Sequence, residues 1–224
     1  MPLSLTVGNR PTIHLTYVNQ IFVSLRIIPH PNPVRFYKRK LMRHLMLDIE
    51  TLGVNPGCIV LSIGAVEFSN GVITGRFHAH IDPHSCEEYG LKAEAGTTMW
   101  WLAQDQKAQQ ALLSGEQHDL DDVLASFIDT FDWKDLKVWA NGASFDFPIL
   151  KAAFEAVDRK LPWAFYNEMD FRTIKGLISK ADFDTMRVRP GVAHDALDDA
   201  TAQAQTLIKI FELMQQGGPL RVAA

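Results

Sequence analysis

The feature that most constrains the fold is a series of three strand-like segments, the last two joined by a tight-turn signal. Residues 44–49 form a short apolar run that ends in acids, and residues 57–68 form a longer one. The pair Asn70-Gly71 then leads into a third segment, residues 72–81. Asn-Gly between two such segments favours a two-residue hairpin, because both of its central residues adopt positive φ. Three strands are therefore predicted to open the folded part of the chain.

Helices and strands alternate in the rest of the chain. Composition and capping signals predict helices over residues 98–113, 120–131, 147–156 and 195–216, and apolar runs predict strands over residues 136–140 and 164–166. Pro148 is expected in the first turn of its helix, where proline is tolerated. The last helix is expected to end at Gly217-Gly218-Pro219. This order predicts an α/β layer fold.

Charge divides the chain before Asp48. Residues 1–47 contain seven basic residues and no acidic one, whereas the remainder contains 15 basic and 26 acidic residues. Residues 1–41 also contain five prolines and show no helical or strand period, which predicts a poorly structured basic extension ahead of a domain over residues 42–224. Two explanations remain open: translation starts at Met42, or the extension is an arm that contacts a nucleic-acid backbone.

Cysteine content and hydropathy argue against a disulfide-stabilised protein and against a membrane-spanning one. Two cysteines, Cys58 and Cys86, do not make a disulfide framework for 224 residues. The apolar stretch over residues 21–28 is interrupted by Arg26 and is shorter than the ~20 residues that span a membrane. We therefore expect a cytoplasmic protein with no membrane partner.

Three clusters of polar residues are candidates for chemistry. Asp48 and Glu50 lie two residues apart at the end of a predicted strand, so both carboxylates point to one face. They form either a solvated strand end or a site for a divalent cation. The second cluster, residues 141–146, follows another strand and ends in Asp146, which is either part of a helix cap or a site residue.

The third cluster lies at the start of the last predicted helix. It runs from His194 to Asp199 and contains three acids. Acids are favoured at a helix N-terminus, and Asp195 is the expected cap. Capping does not explain the histidine, and Asp199, one turn further on, is expected to face a shared site.

In order along the chain, these clusters resemble the three motifs of the DEDDh 3′→5′ exonucleases. Asp48-Ile49-Glu50-Thr51, then Phe145-Asp146, then His194 with Asp199 match that pattern. Residues 44–53, 98–104 and 138–146 are similar to a phage and prophage branch of the family, related to exonuclease A and exodeoxyribonuclease VIII. The resemblance extends from about residue 42 to about residue 213.

The resemblance implies a ribonuclease H-like fold: a mixed five-stranded sheet with helices on both faces. It also implies the metal ligands, which are Asp48, Glu50, Asp146 and Asp199. Two Mg²⁺ or Mn²⁺ ions held there, about 3.5–4 Å apart, orient the scissile phosphate and stabilise the attacking and leaving oxygens. His194 is implied as the general base that takes a proton from water.

The implied substrates are single-stranded DNA or RNA 3′ ends, and the products are nucleoside 5′-monophosphates. Thr51, Leu52, Phe145 and Trp101 are implied to contact the terminal nucleotide. For Leu52 and Phe145, packing in the core is an equal alternative. A homodimer is also implied. Asp170-Phe171-Arg172 is expected to form only a local ion pair.

Two other functions stay open from the sequence. One is a catalytically silent nucleic-acid-binding or assembly module on the same fold, although such a module has no need of four repulsive carboxylates. The other is an endonuclease or transposase-like enzyme, against which the spacing of the histidine and the last aspartate argues.

Overall fold

A computed structural model describes residues 4–5, 13–14 and 42–215. The chain divides into two units, Met1–Lys40 and Leu41–Ala224. In the first unit, β1 (Ser4–Leu5) pairs antiparallel with β2 (Ile13–His14). The rest of the predicted extension lies outside the described residues, as does the predicted helix end at 217–219. The domain boundary stays a prediction.

The second unit is built on a mixed sheet. Within the residues described there, its strands are β3 (Arg43–Thr51), β4 (Val60–Ser69), β5 (Val72–Ile81), β6 (Gln117–His118), β7 (Leu136–Ala140) and β8 (Glu168–Asp170). Their order is β6-β5-β4-β3-β7-β8. The pairs β3–β4 and β4–β5 are antiparallel, and the other three are parallel. The described sheet thus has six strands rather than the expected five, because β6 is too short to show an apolar pattern.

Helices cover both faces of this sheet. They are α1 (Pro83–Glu88), α2 (Ala95–Leu102), α3 (Gln106–Leu113), α4 (Leu120–Thr130), α5 (Ala143–Ala156), α6 (Phe171–Gly176), α7 (Lys180–Met186) and α8 (Ala196–Gln215), with a 3-10 turn at Phe165–Asn167. Helices α4 and α5 pack on one face and α8 packs on the other. The expected α/β fold with helices on both faces is confirmed. Among the described residues, no helix is long and apolar enough to cross a membrane.

The predicted hairpin forms at the expected place. β4 ends one residue before Asn70 and β5 begins one residue after Gly71. The two turn residues have φ of 51° and 77°. These are the positive values that a two-residue hairpin of this type needs, and asparagine and glycine reach them at the lowest cost.

Three local predictions were wrong. Residues 98–113 form two helices because Asp105 begins a new one: its Oδ1 accepts from the amide of Ala108 at 2.9 Å. Residues 164–166 are not a strand, and the fifth predicted strand is found a few residues later, as β8. Pro148 lies at the sixth position of α5 rather than in its first turn, so the helix accommodates a missing backbone donor.

Alternation along β3 decides which face carries its acids. Leu45, Leu47 and Ile49 enter the core cluster under α4 and α5, whereas Met46 enters the cluster under α8. Because side chains alternate along a strand, Asp48 and Glu50 share the face of Met46. The two carboxylates therefore lie on the side of the sheet that α8 covers.

Candidate active site

The carboxylates of β3 meet α5 at one edge of the sheet. β3 and β7 run parallel, with Leu47 opposite Ala140. Ala140 is the last residue of β7, and only two residues connect it to α5. The fourth residue of α5 is Asp146. Because parallel strands end at the same edge, this connection places Asp146 next to the end of β3.

Helix α8 reaches the same edge through a close approach to β4. Gly64 of β4 is paired with Asp48. A Cβ atom at Gly64 would overlap the backbone of Ala196, the first residue of α8. Glycine therefore lets the helix begin directly on the sheet, and Asp199 follows within one turn. Asp195 caps α8 as expected, since its Oδ1 accepts from the amide of Asp198 at 2.9 Å.

His194 adjoins both the acids and an aromatic wall. Its φ of 64° is in the left-handed region, which is uncommon for a residue with a side chain and is found at functional sites. Its backbone amide donates to Asp199 Oδ2 at 2.8 Å. Ligand atoms of Glu50, His194 and Asp199 all lie within 4.8 Å of one another. The ring packs edge-on against Trp100 and Trp101, with centroid separations of 5.1 and 6.1 Å.

The electrostatics of the β3 acids show how closely the carboxylates converge. Burial raises the pKa of Asp48 well above its ordinary value, and repulsion from Asp146, Glu50 and Asp199 adds to this. Burial likewise raises the pKa of Glu50 to about 8, with repulsion from Asp199, Asp195 and Asp146. Gln203 partly offsets the cost at Asp48, because its Nε2 donates to Asp48 Oδ1 at 3.0 Å.

The acids on the two helices are affected in the same direction. Asp146 is 3% exposed, and burial raises its pKa to about 7 although the positive charge of Arg172 favours its ionised form. Burial also raises the pKa of Asp199, against the hydrogen bond from the amide of His194. Desolvation and like charge both disfavour the ionised form of a carboxyl group.

This donor set fits a divalent metal. Four carboxylates that repel one another away from bulk water are costly unless a cation neutralises them. Carboxylate oxygens are the ligands that Mg²⁺ and Mn²⁺ prefer. Gln203 Oε1 is also buried without a hydrogen-bond partner beside this cluster, which leaves one more oxygen facing inward.

A cavity of about 500 Å³ opens beside Glu50. Thr51, Trp101 and Phe145, three of the four residues expected to contact substrate, line it. Trp101 is buried and donates through Nε1 to the carbonyl of Thr51 at 2.9 Å. Leu52 is not among the lining residues and packs against the core instead.

Sequence reasoning considered both Trp100 and Trp101 but selected only Trp101, missed Gln203 and misread Arg172. Trp100 is 44% exposed and lines the cavity beside the selected Trp101. Gln203 lies four residues after Asp199 on α8, a helical spacing that makes it a candidate in retrospect. No ion pair joins Asp170 to Arg172 within residues 42–215; the carboxylate of Asp170 caps α6, accepting from the amides of Arg172 and Thr173.

A mixed sheet with helices on both faces, and four acids and a histidine gathered at one edge, define the class of DEDDh exonucleases. Residues 43–211 match the family described as the 3′-5′ exoribonuclease Rv2179c-like domain, and the chain belongs to that family. The predicted superfamily and the predicted enzyme class, a 3′–5′ exonuclease acting on DNA or RNA, are thereby confirmed.

Individual relatives agree with this assignment. The exodeoxyribonuclease of Enterobacteria phage T4 is 28% identical over an alignment of 192 residues, in which 70% of this chain and 84% of the phage protein are covered. The nuclease domain of 3′hExo, a DEDDh family member bound to rAMP, has a TM-score of 0.54 at 14% identity, covering 83% of this chain and 98% of that one.

Another solved structure, an E. coli ExoI–ssDNA complex, has a TM-score of 0.53 at 16% identity over 78% of this chain. This chain spans only 40% of that protein. At such identities the two structural likenesses concern the fold alone.

Proposed function

We propose that this protein removes nucleoside 5′-monophosphates one at a time from the 3′ ends of single-stranded DNA or RNA by metal-dependent hydrolysis. The observation that carries the proposal is the convergence of four carboxylates, two buried and two half-buried, and a histidine beside a cavity large enough for a nucleotide. A silent binding module has no need of four repulsive carboxylates, and the spacing of His194 and Asp199 argues against an endonuclease or transposase-like enzyme.

The proposed metal ligands are Asp48, Glu50, Asp146 and Asp199, which we expect to hold two Mg²⁺ or Mn²⁺ ions. Bound there, the ions would supply charge stabilisation for the scissile phosphate and for the attacking and leaving oxygens. Burial raises the pKa of all four acids, and repulsion within the cluster adds to this at Asp48 and Glu50, so binding of the metal would also release protons.

We assign to His194 the role of general base. A nitrogen of its ring lies within 4.8 Å of carboxylate oxygens of Glu50 and Asp199, and the ring packs against the two tryptophans. Packing against both indoles restricts the orientation of the ring. The backbone amide of His194 also donates a hydrogen bond to Asp199 Oδ2, so the backbone at position 194 orients both the proposed base and a proposed metal ligand. The ring nitrogen that faces the site would take a proton from the attacking water.

The cavity is the proposed site for the 3′-terminal nucleotide. Phe145 and Trp101 provide apolar walls, and Trp100 offers an exposed indole face on which a base can stack. Thr51 uses its hydroxyl within the chain, donating to the carbonyl of Gly53 at 2.6 Å, and would contact the nucleotide through its remaining surface. A nucleotide in this cavity would place its phosphate towards Glu50, which is also a lining residue.

The test uses 5′-labelled single-stranded oligonucleotides of matched sequence in DNA and RNA. The wild-type protein should shorten them stepwise from the 3′ end with Mg²⁺ or Mn²⁺ and should be inactive in EDTA. Asp146→Asn should abolish release, whereas Asp129→Asn, which changes an exposed aspartate on α4, should not. Parallel digestion also decides between the two sugars, on which the family description and the phage relative differ.

Other outcomes would reject the proposal in distinguishable ways. Internal cuts would indicate an endonuclease. Stabilisation by Mn²⁺ without any cleavage would indicate the silent binding module. Undiminished release by Asp146→Asn, or in EDTA, would exclude the metal-dependent site described above.

The expected homodimer and cytoplasmic location remain proposals of the same kind. Light scattering after size exclusion measures the first, and subcellular fractionation measures the second. A single species of about 25 kDa in solution would exclude the dimer.

A further inference from the structure

Three basic side chains on the segment that follows β8 have no role in the proposed chemistry, and the first of them lies at the border of the acidic cluster. Arg172 and Lys175 belong to α6, and Arg187 follows α7. The first and last are exposed and the second is half-buried. Among the described residues, none of the three has a carboxylate within ion-pair distance.

The sheet fixes α6 beside the proposed metal ligands. β8 runs parallel to β7, with Asp170 opposite Ala140, so both strands end at the same edge. Asp170 then ties α5 and α6 together, because its Oδ1 accepts from the amide of Ala143, the first residue of α5, at 3.3 Å and its carboxylate also caps α6. Helix α6 therefore begins next to α5, which carries Asp146.

Arg172 lies against a position that has no side chain. A Cβ atom at Gly142 would lie 2.9 Å from Arg172 Cζ, so the guanidinium rests on the backbone just before α5 begins. Gly142 precedes Asp146 by four residues and immediately precedes α5, the helix that carries this aspartate. A cation is thus held at the border of the acidic cluster.

Lys175 and Arg187 continue the positive charge away from that border. Lys175 Nζ lies 5.9 Å from the ring centroid of Phe171 and 5.5 Å from that of Phe183. The second ring is on α7, the helix that Arg187 follows. Burial lowers the pKa of Lys175, and the charges of Arg172 and Arg187 lower it further, while Asp170 opposes this effect. Lys175 is therefore held close enough to both arginines for their charges to repel its own.

We infer that Arg172, Lys175 and Arg187, which we term the basic cluster, bind the phosphates of the substrate strand next to the scissile bond. This inference rests on the proposed function, since it supplies the strand-binding surface of the same site. The carboxylates and their metal ions can neutralise only the phosphate being cut. An otherwise acidic body needs fixed cations to hold the neighbouring phosphates, and like charges gathered without partners are stabilised when a polyanion binds.

The expected effect is a salt-dependent loss of affinity. For single strands each phosphate contact contributes about 0.7 to the slope of log K against log salt, so removing one contact should weaken binding about fivefold at 0.1 M relative to 1 M salt. Arg172→Gln, Lys175→Met and Arg187→Gln should each lower the slope by about 0.7, and the triple variant by about 2. Methionine at position 175 keeps an unbranched apolar stem against the two rings.

The measurement is fluorescence anisotropy of the full chain with 5′-labelled 12-mers of DNA and RNA. Their last linkages are phosphorothioate, to resist hydrolysis. Lys209→Met is the matched control, because Lys209 is exposed on α8, ten residues after Asp199 and about 15 Å further along the helix. The basic residues 35–40 are present in every variant, so their contribution cancels. Thermal melts establish that each variant is folded.

The inference stands if the three variants lose slope and affinity and the control does not. It is overturned if folded variants keep the wild-type slope, if Lys209→Met loses as much, or if the wild-type protein binds neither strand at low salt. Failure of the proposed function is seen separately, as intact substrate in the cleavage assay. A protein that cleaves normally but whose basic-cluster variants bind like wild type refutes only the inference.

Discussion

Replacing Glu50 by glutamine should stabilise the metal-free protein while abolishing its activity. Glu50 is 8% exposed, and burial raises its pKa from 4.5 to about 8, with added repulsion from Asp199, Asp195 and Asp146. At pH 7 the unfolded chain has released this proton and the folded chain holds it. Folding at pH 7 therefore requires this carboxyl group to take up a proton. Because pH 7 lies roughly 2.5 units above the pKa of the group in the unfolded chain, the uptake costs about 3 kcal/mol at 1.36 kcal/mol per unit.

Glutamine fills the same space and binds no proton, so Glu50→Gln should avoid this cost. For a folded unit of this size, about 3 kcal/mol corresponds to a rise in Tm of roughly 6–12 °C. The pKa is raised in the folded state, so wild-type stability falls as pH rises from about 4.5 to about 8. The difference between the two proteins should accordingly be small at pH 4.5 and should widen towards pH 8.

Calorimetry in EDTA across this pH range measures the effect. Glu88→Gln, at an exposed position of α1, is the matched control and should change Tm little. Addition of Mn²⁺ should stabilise wild type more than Glu50→Gln, because a ligand that binds only the folded state raises its stability. A Glu50→Gln protein that melts at or below wild type at pH 7, with an unchanged control, would refute the claim that this carboxylate lies in a desolvated and repulsive cluster.

Three further perturbations address other parts of the site. His194→Gln should lower kcat for mononucleotide release by about 10²–10⁴ with an unchanged melt, and a smaller loss would argue against a general base. Gly64→Ala should destabilise by several kcal/mol, because the added methyl overlaps the backbone where α8 begins, whereas Gly96→Ala meets no heavy atom within 4 Å and should be tolerated in a melt. Gln203→Ala should weaken Mn²⁺ binding by about 10–100-fold in a calorimetric titration, since it removes the hydrogen bond that orients Asp48; unaltered affinity would contradict that role.

Local sequence patterns were sufficient to predict two strands and the hairpin turn. β5 and β7 have their predicted bounds, and the Asn70-Gly71 turn forms as expected, because turn geometry and side-chain alternation are properties of a few adjacent residues. The break between α2 and α3 at Asp105 was not predicted, because alanine and glutamine on both sides of it favour a helix equally. Strand β6 was not predicted, because its two residues are too few to show a pattern and are defined as a strand by their pairing with β5.

The candidate site likewise contains residues that the sequence was sufficient to select and residues that only the structure revealed. The acids and the histidine were selected from residue type, order and family resemblance, and the structure brings them together; their roles remain proposals. Trp100 was passed over for Trp101 because helical position alone does not tell which of two adjacent indoles meets solvent. Arg172 was read as part of a local ion pair because its contact with Gly142 joins segments 30 residues apart in sequence.

The sequence by itself determined the class of fold, the candidate site residues and the family to which the chain belongs, since strand period, hairpin chemistry and motif order are all properties of short stretches. Only the tertiary structure decided which side chains share an environment. The crossing of α8 over Gly64, the parallel register of β3, β7 and β8, and the burial that raises the pKa of the acids arise from packing between distant segments. Desolvation and charge repulsion depend on distances in three dimensions, and for that reason no linear pattern could reveal the strength of the acidic cluster or the basic cluster beside it.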